Sequence, residues 1–327
     1  MQQVGAPWPA AVAVSGGSDS MALMHLLAHW AKVERRVAPV VLTVDHGLRA
    51  ESARDARAVA RTARAIGLTA YVLKWKGAPP SANIESAARA MRYELMGVWC
   101  RKHGISAIYV AHTLDEQAET FLLRLARGSG LDGLAGMAPV APWPLPGFEP
   151  MNVVRPLLGT SKAELQAYLT RQGATWIEDP MNADDRFART RIRQVFPALE
   201  EAGISRSRVA SAAAHLARAR QAMEHMTSEF IASATKSAKD DIILNLGDLR
   251  QAPREVGLRA LAAILMRVSA AAYRPRFERL ESLFDALMAG TVQKPRTLHG
   301  CLLIPEPKAV SGAPQTLTIR REPLRRN

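Results

Sequence analysis

The feature that most constrains this chain is a glycine turn between a short apolar run and a helical pattern. The apolar run covers residues 10–14 and the helical pattern covers residues 20–32. The turn between them reads Ser15-Gly16-Gly17-Ser18-Asp19-Ser20. A buried strand that passes through glycines into a helix brings backbone N–H groups and the positive end of the helix dipole together. The pattern therefore predicts a phosphate-binding loop.

This loop contains no lysine, unlike the loop of kinases and GTPases. Its composition favours binding of the β,γ-diphosphate of ATP as a leaving group over transfer of the γ-phosphoryl group. Asp19 is the candidate ligand for a Mg²⁺ ion that neutralises the diphosphate. The alternative is a Ser/Gly turn that only caps a helix, which the complete hexapeptide after a strand disfavours.

Short apolar runs alternate with helical patterns through the first half of the chain. Strands are predicted at residues 10–14, 39–44, 68–74 and 105–111, and helices at 20–32, 49–66, 81–103 and 114–126. This alternation predicts an α/β fold with a parallel sheet covered on both faces. Ligands bind such sheets at the carboxyl ends of strands, where Ser15, Asp45 and His112 fall.

The rest of the chain shows a different pattern. Residues 137–156 are rich in proline and predict a loop, residues 161–173 predict a helix, and the Ala-rich residues 200–239 predict a long helix. Helices at 253–269 and 275–289, with strands near Leu302 and at 317–319, predict a small α+β domain. We therefore expect a catalytic domain at 1–198, a helical linker at 199–240 and the α+β domain at 241–327.

The chain is basic, with a net charge of +13. Residues 1–197 contain 23 Lys and Arg against 17 Asp and Glu, and residues 198–327 contain 20 against 13. The excess predicts a nucleic-acid partner, and general accumulation of arginine is the alternative.

Cys100 and Cys301 form no zinc or disulfide motif, and neither a signal peptide nor a membrane span is predicted. We therefore expect a cytoplasmic protein without membrane association.

Further motifs follow the loop along the chain. They are Val44-Asp45-His46-Gly47-Leu48-Arg49, Asn83-Ile84-Glu85, Ala88-Arg89, Arg92-Tyr93, Ala111-His112-Thr113-Leu114-Asp115-Glu116-Gln117-Ala118-Glu119-Thr120, Leu125-Ala126-Arg127-Gly128-Ser129-Gly130-Leu131, Arg155-Pro156-Leu157-Leu158, Trp176-Ile177-Glu178-Asp179-Pro180-Met181-Asn182 and Phe187-Ala188-Arg189-Thr190-Arg191-Ile192-Arg193. In order and spacing over about residues 10–200, the chain resembles the tRNA(Ile)-lysidine synthetases of the N-type ATP pyrophosphatases, or PP-loop superfamily. The resemblance implies an adenine nucleotide alpha hydrolase-like (Rossmann-like) domain, in the shorter form of the family.

Two departures from the family pattern stand out. The family usually has His-His-Ala-Asp-Asp-Gln where this chain has His112-Thr113-Leu114-Asp115-Glu116-Gln117, so His112 and Asp115 keep the anchor positions. The family usually has Arg-Asn where this chain has Arg189-Thr190, which leaves the role of position 190 open.

The resemblance implies ATP and Mg²⁺ as cofactors, and tRNA(Ile) and L-lysine as substrates. ATP adenylates the C2 carbonyl oxygen of the wobble cytidine of a CAU anticodon, with release of diphosphate. The ε-amine of lysine then attacks C2 and AMP leaves, which produces lysidine.

Candidate residues follow from this scheme. The set for ATP binding is Ser15, Gly16, Gly17, Ser18, Asp19, Ser20 and His112. Asp45 and Asp115 are candidates for binding the lysine amine or for acting as the base, and Asp45 is also a candidate for Mg²⁺. The candidate for the cation at the α-phosphate is Arg127 or an arginine of the cluster at residues 189–193. The set for tRNA binding is Arg89, Arg92, Arg189, Arg191 and Arg193. The small α+β domain at 241–327 is expected to bind the body of the tRNA as well, by shape and charge. A surface salt bridge is the alternative for Arg89, with Glu85, and a structural role is the alternative for His112.

Two other functions stay open at this point. One is tRNA 2-thiocytidine synthesis, which uses cysteines in motifs that Cys100 and Cys301 do not form. The other is a tRNA-binding protein that has lost catalysis, which the intact loop, Asp45 and Asp115 disfavour. The sequence leaves the oligomeric state open, and a homodimer is among the states that it allows.

Overall fold

The structure is a computed structural model that describes residues 1, 4–5, 7–47, 51–75, 84–178, 188–239, 241–271, 273–306 and 315–323. Of the predicted motif residues, Leu48, Arg49, Asn83 and residues 179–187 lie outside the described residues, as do the side chains of Ile84 and Glu85. The chain divides into two compact units, Met1–Arg218 and Ala219–Asn327.

The first unit alternates strands with helices. Its strands are β1 (Ala10–Ala13), β2 (Val40–Asp45), β3 (Ala70–Lys74), β4 (Ala107–Tyr109), β5 (Val140–Pro142) and β6 (Asn152–Val154). Its helices are α1 (Ser18–Val33), α2 (Ser52–Ala65), α3 (Ile84–Lys102), α4 (Leu114–Leu125), α5 (Leu131–Leu134), α6 (Lys162–Arg171), α7 (Ala188–Glu201) and the first part of α8 (Arg206–Ala234).

The six strands form one sheet in the order β3-β2-β1-β4-β6-β5, in which every neighbouring pair except β5 and β6 is parallel. Val12 of β1 packs into one hydrophobic cluster with Leu23, and Ala11 packs into another with Tyr93. The sheet therefore has a core on each face, and the predicted α/β fold is confirmed. The adjacent β2, β1 and β4 bring their carboxyl ends to the same edge.

The prediction of a loop over residues 137–156 is wrong. This segment contains β5 and β6, and β6 pairs in parallel with β4. Pro142 lies in β5 at the edge of the sheet, where the missing backbone N–H interrupts no ladder. Val153 of β6 is fully buried, but its short apolar run is surrounded by prolines that conceal the strand signal.

The second unit is an α+β domain, as predicted. After the end of α8 it contains β7 (Thr235–Ala238), β8 (Asp241–Asn245), α9 (Leu246–Gln251), α10 (Arg254–Ser269), α11 (Phe277–Met288), β9 (Arg296–Leu298), β10 (Cys301–Glu306) and β11 (Thr316–Arg321). Its antiparallel sheet has the order β7-β8-β11-β10-β9, and its core includes Leu244, Leu261, Phe284 and Leu303.

The single helix predicted over residues 200–239 is wrong at both ends. Helix α7 ends at Glu201 and α8 begins at Arg206, with Gly203 between them at a φ of +83°, in the left-handed region that stops a helix. At the other end, Thr235 pairs with Leu244 in the sheet, so tertiary pairing overrides the helical pattern of the Ala-rich segment.

Across the described residues, no helix has the length and apolarity that a membrane span requires.

Candidate nucleotide-binding and catalytic site

Ser20 holds the predicted phosphate loop in shape. Its Oγ accepts hydrogen bonds from the backbone N–H groups of Ser15 and Gly16 at 3.2 Å each, and donates to the carbonyl oxygen of Gly17 at 3.0 Å. Gly17 is the N-cap of α1 and supplies no side-chain cap. The start of α1 therefore presents backbone N–H donors and the positive end of its dipole, which is an arrangement that binds anions.

Gly16 is required by both conformation and space. Its φ is +99°, and a Cβ at this position would lie 2.9 Å from Cδ1 of Ile177. The backbone N–H of Ile177 donates to the carbonyl oxygen of Gly16 at 2.9 Å. The segment that contains Trp176 and Ile177 therefore packs directly on the loop.

Asp19 lies half-buried in the first turn of α1. Burial raises the pKa of its carboxyl group, while the hydrogen bond from Ser18 and the charges of Lys162 and Arg193 lower it. The Ser18 hydroxyl donates to Oδ1 of Asp19 at 3.0 Å. Of the residues that the structure describes, no three His, Cys, Asp or Glu side chains form a metal-binding group.

Asp45 ends β2, beside β1, at the same sheet edge as the loop. The Ser52 hydroxyl donates to Oδ1 of Asp45 at 2.8 Å, and the backbone N–H of Gly47 donates to the same oxygen at 3.3 Å. Ser52 lies in the first turn of α2 and was not among the predicted site residues. Its hydroxyl group holds the carboxylate of Asp45 in a fixed orientation at the end of β2.

Asp115 has structural partners on both of its oxygens. The backbone N–H of Lys162, the first residue of α6, donates to Oδ2 at 2.7 Å. The Nε of Arg206 lies 3.4 Å from Oδ1. Asp115 therefore satisfies a donor at the start of α6 and pairs with an arginine that also contacts Glu200 and the Phe196 ring.

Thr113 and Glu116, two positions at which the 112–117 motif departs from the family pattern, form one structural unit. Thr113 is the N-cap of α4, and its side chain accepts from the backbone N–H of Glu116 at 3.4 Å. Glu116 in turn accepts from the backbone N–H of Thr113 at 3.1 Å. This capping box satisfies two donors at the start of α4. The two departures are therefore coupled, because each side chain caps the other residue.

His112 is a half-buried, neutral histidine. The Nε of Arg155 donates to Nδ1 of His112 at 3.2 Å, which places the ring proton on Nε2. Burial, together with the charges of Arg155, Arg89, Arg189 and Arg92, lowers the pKa of His112 to about 3. Three of the arginines predicted to bind tRNA therefore lie close enough to act on one histidine at the end of β4.

Two of the predicted tRNA-binding arginines, Arg189 and Arg193, contact carboxylates of α4, of which Glu119 is buried and Glu116 half-buried. Arg193 donates to Glu119 through Nε at 2.6 Å and through Nη2 at 3.3 Å. Arg189 lies 3.5 Å from Oε1 of Glu116 and 4.0 Å from Oε2 of Glu119. Burial raises the pKa of Glu116, and the charge of Arg189 lowers it. Arg191, on the same helix, is exposed.

Arg127 lies apart from these side chains. It is exposed in the turn after α4, twelve positions beyond Asp115, or about 18 Å along a helix axis. The neighbouring Arg124 holds the following turn by donating to the carbonyl oxygens of Gly133 and Gly136. The structure thus brings the loop, Asp45, His112 and Asp115 to one sheet edge, and places Arg127 at the far end of α4.

This site also contains four residues that were not predicted from the sequence: Ser52, Glu119, Arg155 and Lys162. Arg155 and Glu119 lie inside motifs that the chain shares with the family, and membership of these motifs was the sequence signal that could have identified them. Lys162 and Ser52 lie outside these motifs.

Both cysteines lie in hydrophobic cores, where burial raises the thiol pKa, to about 12 for Cys100. Neither is therefore poised as a thiolate for sulfur transfer.

Comparisons with known proteins agree with this geometry. The family model of the PP-loop domain matches residues 7–199. The tRNA(Ile)-lysidine synthase of Wolbachia pipientis wMel is 36% identical over 293 residues, which are 89% of this chain and 67% of that protein. The tRNA(Ile)-lysidine synthase of Methylobacterium nodulans is 40% identical over 329 residues, covering 98% of this chain and 93% of that protein.

A solved structure shares the fold at low sequence identity. The U34-tRNA thiolase NcsA from Methanococcus maripaludis, with its 4Fe-4S cluster, has a TM-score of 0.52 at 14% identity, over 66% of this chain and 72% of that chain. That likeness supports the PP-loop fold of the first unit, and the sequence relatives identify the group within it. The chain therefore belongs to the tRNA(Ile)-lysidine synthase family, whose members are C–N bond-forming ligases with a PP-loop domain.

Proposed function

We propose that this protein ligates L-lysine to C2 of the wobble cytidine of tRNA(Ile) with a CAU anticodon, through an adenylated cytidine, and releases AMP and diphosphate. The observation that carries the proposal is the loop closed by Ser20, at an edge that also holds Asp45, His112 and Asp115. The relatives named for this reaction match most of the chain. Because the substrate is a tRNA, we place the reaction in the cytoplasm.

The loop is proposed to bind the phosphates of ATP. Ser15, Gly16, Gly17, Ser18 and Ser20 surround the start of α1, where backbone donors and the helix dipole favour negative charge. The absence of lysine from residues 15–20 suits retention of the diphosphate during attack at the α-phosphate. His112 is proposed to contact the nucleotide through Nε2–H, because Nδ1 is occupied by Arg155.

Asp19 is proposed to hold Mg²⁺. Its carboxylate is half-buried with a raised pKa, and its described hydrogen bond comes from a neutral hydroxyl, so a cation there would compensate the burial. Mg²⁺ commonly uses one or two carboxylates and completes its shell with water and substrate phosphates. When bound, the ion neutralises charge on the departing diphosphate. Asp45 remains the second candidate for this role.

Asp45 is the carboxylate that we propose for the lysine amine. The hydrogen bonds described for Asp45 meet Oδ1, whereas Asp115 uses one oxygen on Lys162 and the other on Arg206. Because the described hydrogen bonds use Oδ1, the other oxygen of Asp45 can bind the ammonium group of lysine and accept its proton. Asp115 then acts by holding α4 and α6 together at the site.

The arginines divide into two proposed groups. Arg89, Arg92 and Arg191 are exposed and are proposed to contact tRNA phosphates. Arg189 and Arg193, anchored by Glu116 and Glu119, are proposed to present the remaining positive charge near the α-phosphate. The role of Arg127 as a charge at the α-phosphate stays a prediction, and it would require the α-phosphate to come within reach of the far end of α4. The catalytic domain at 1–198, the linker at 199–240 and the α+β domain at 241–327 remain our proposed division, and a homodimer remains a prediction.

The experiment is a reconstituted reaction of the full chain with ATP, Mg²⁺, L-lysine and a tRNA(Ile) transcript. Diphosphate should form with ATP, Mg²⁺ and tRNA, whereas release of AMP should also require lysine. Mass spectrometry of the digested tRNA from the complete reaction should find lysidine at the wobble position. A transcript with a different wobble base is the control. Absence of lysidine with folded protein and intact tRNA would exclude the proposal.

A separate measurement distinguishes the Mg²⁺ candidates. Mn²⁺ can replace Mg²⁺ as a paramagnetic probe of ATP-dependent metal binding. We expect Asp19→Asn to weaken Mn²⁺ binding in the presence of ATP and Asp45→Asn to leave it unchanged. The opposite pattern would transfer the metal to Asp45.

A further inference from the structure

Two aromatic side chains of the second unit face water. Tyr273 is 83% exposed and Phe277 is 59% exposed, on either side of Pro275 at the start of α11. The buried residues of α11 are Leu280, Leu283, Phe284 and Leu287. Packing of the helix therefore accounts for these four side chains and leaves Phe277 outside the core. Large exposed rings so close together mark an interaction surface.

Arginines alternate with these rings. Residues 273–279 read Tyr-Arg-Pro-Arg-Phe-Glu-Arg, with three arginines against one glutamate. Arg274, Arg276 and Arg279 are all exposed. Aromatic rings stack on unpaired bases and arginines contact phosphates, so the combination fits a single-stranded nucleic acid. A second copy of this surface would bring like charges together, and charge complementarity therefore favours a polyanion.

A cationic cleft of about 440 Å³ lies beside the end of α10. Its lining includes Lys239, Arg267 and Arg321. Asp241 also lines the cleft, and it is paired with Arg320 at 2.8 Å. Lys239, Arg267 and Arg321 bring three positive charges to this cleft. Helix α10 ends at Ser269, four positions before Tyr273, and four residues span at most about 14 Å.

We propose that residues 273–279 bind unpaired nucleotides of the tRNA substrate, with Tyr273 and Phe277 stacked on bases. The segment's arginines and the cleft at the end of α10 hold the flanking phosphates. The identity of the RNA rests on the proposed function. The contact itself rests on the exposure, ring chemistry and charge of the second unit.

The first test compares tRNA affinities of full-length variants across salt concentrations. Tyr273→Ser with Phe277→Ser should weaken binding of a tRNA(Ile) transcript by about tenfold or more, because each stacked base contributes substantially. The slope of log affinity against log salt should not change, since stacking releases no counterions. Tyr273→Phe with Phe277→Tyr keeps both rings and should retain wild-type affinity.

Arginine variants test the binding of phosphates. Arg276→Gln with Arg279→Gln should flatten the salt slope by about 0.7 for each phosphate that the variant no longer neutralises. The matched control, Lys294→Gln with Arg296→Gln, removes two exposed cations of the same unit and should leave the slope unchanged. An equal effect of both pairs would mean that general charge alone acts, and would overturn the proposal.

Photocrosslinking locates the contact directly. A transcript that carries 4-thiouridine should crosslink to the peptide containing Tyr273 and Phe277. Unchanged affinity of the Ser variant, or crosslinks found only elsewhere, would overturn the proposal. So would conversion of a dimer to a monomer by the Ser variant at unchanged tRNA affinity, because the rings would then serve a second copy. If the wild-type chain binds tRNA at these rings but forms no lysidine, the proposed function fails and this contact stands.

Discussion

Arg193 of α7 and Glu119 of α4 are joined by two hydrogen bonds, Nε to Oε1 at 2.6 Å and Nη2 to Oε2 at 3.3 Å. The Glu119 side chain is 4% exposed and that of Arg193 is 37% exposed. This bidentate geometry fixes the guanidinium in direction as well as in distance. The pair therefore determines how α7, which carries the predicted tRNA-binding arginines, sits on α4.

Removal of Glu119 should loosen α7. We expect Glu119→Ala to lower the free energy of unfolding by about 2–3 kcal/mol, less than for a fully buried pair because Arg193 still reaches water. Hydrogen exchange of α4 and α7 amides during urea titration measures the decrease. The control Glu229→Ala removes an exposed pair with His225 and should have no measurable effect. Equal stability of the two variants would contradict the expectation.

Gly16→Ala should damage the loop, and Gly17→Ala provides the matched control. An alanine at 16 would need a φ of +99° and would press on Ile177, whereas the nearest heavy atom to a Cβ at 17 is Ser15 Oγ at 3.9 Å. We expect Gly16→Ala to cost about 1–3 kcal/mol and to abolish ATP binding. Gly17→Ala should keep wild-type stability. Calorimetric titration with ATP and thermal unfolding check both, and full ATP affinity in Gly16→Ala would refute the assignment.

His112 should make stability depend on acid. Its folded pKa of about 3 lies below its ordinary value of 6.5, so the unfolded chain binds the proton more readily. The contribution of His112 to the free energy of unfolding is complete above pH 6.5 and is lost as the pH falls toward 3. Between about pH 6 and 4 the wild type should lose up to about 1.4 kcal/mol per pH unit more than His112→Asn does. Urea unfolding at several pH values provides the measurement, and parallel pH profiles would show that His112 titrates normally.

Asp45→Asn and Asp115→Asn should separate chemistry from structure. In Asp115→Asn, the amide NH₂ group faces another donor, either the backbone N–H of Lys162 or Arg206. This mismatch should lower the free energy of unfolding by about 1–3 kcal/mol. Asp45→Asn keeps an acceptor for Ser52, so stability should hold while lysidine formation slows by about 100-fold or more. Single-turnover assays of diphosphate release and lysidine formation distinguish the steps. Lysidine formation at wild-type rate in Asp45→Asn would remove Asp45 from the mechanism.

Local patterns in the sequence were enough to identify the central fold and the loop. Hydrophobic periodicity revealed β1 to β4 and the helices between them, because each pattern depends on residues near in the chain. The glycines at 16 and 17 marked the turn for the same reason. The capping box of Thr113 and Glu116 was also readable, since a Ser or Thr three positions before Glu is a local signal.

Only the tertiary structure determined which side chains meet. Lys162 binds Asp115 across 47 positions, Arg155 binds His112 across 43, and Arg193 binds Glu119 across 74. The Arg155–His112 contact follows from sheet order, because β6 pairs with β4 and so directs Arg155, just beyond its end, toward the edge where His112 lies. Strand pairing between distant segments leaves no period in the local sequence, and prolines hid β5 and β6. The loop was therefore evident from the sequence, whereas the surroundings of Asp45, His112 and Asp115 depended on long-range packing.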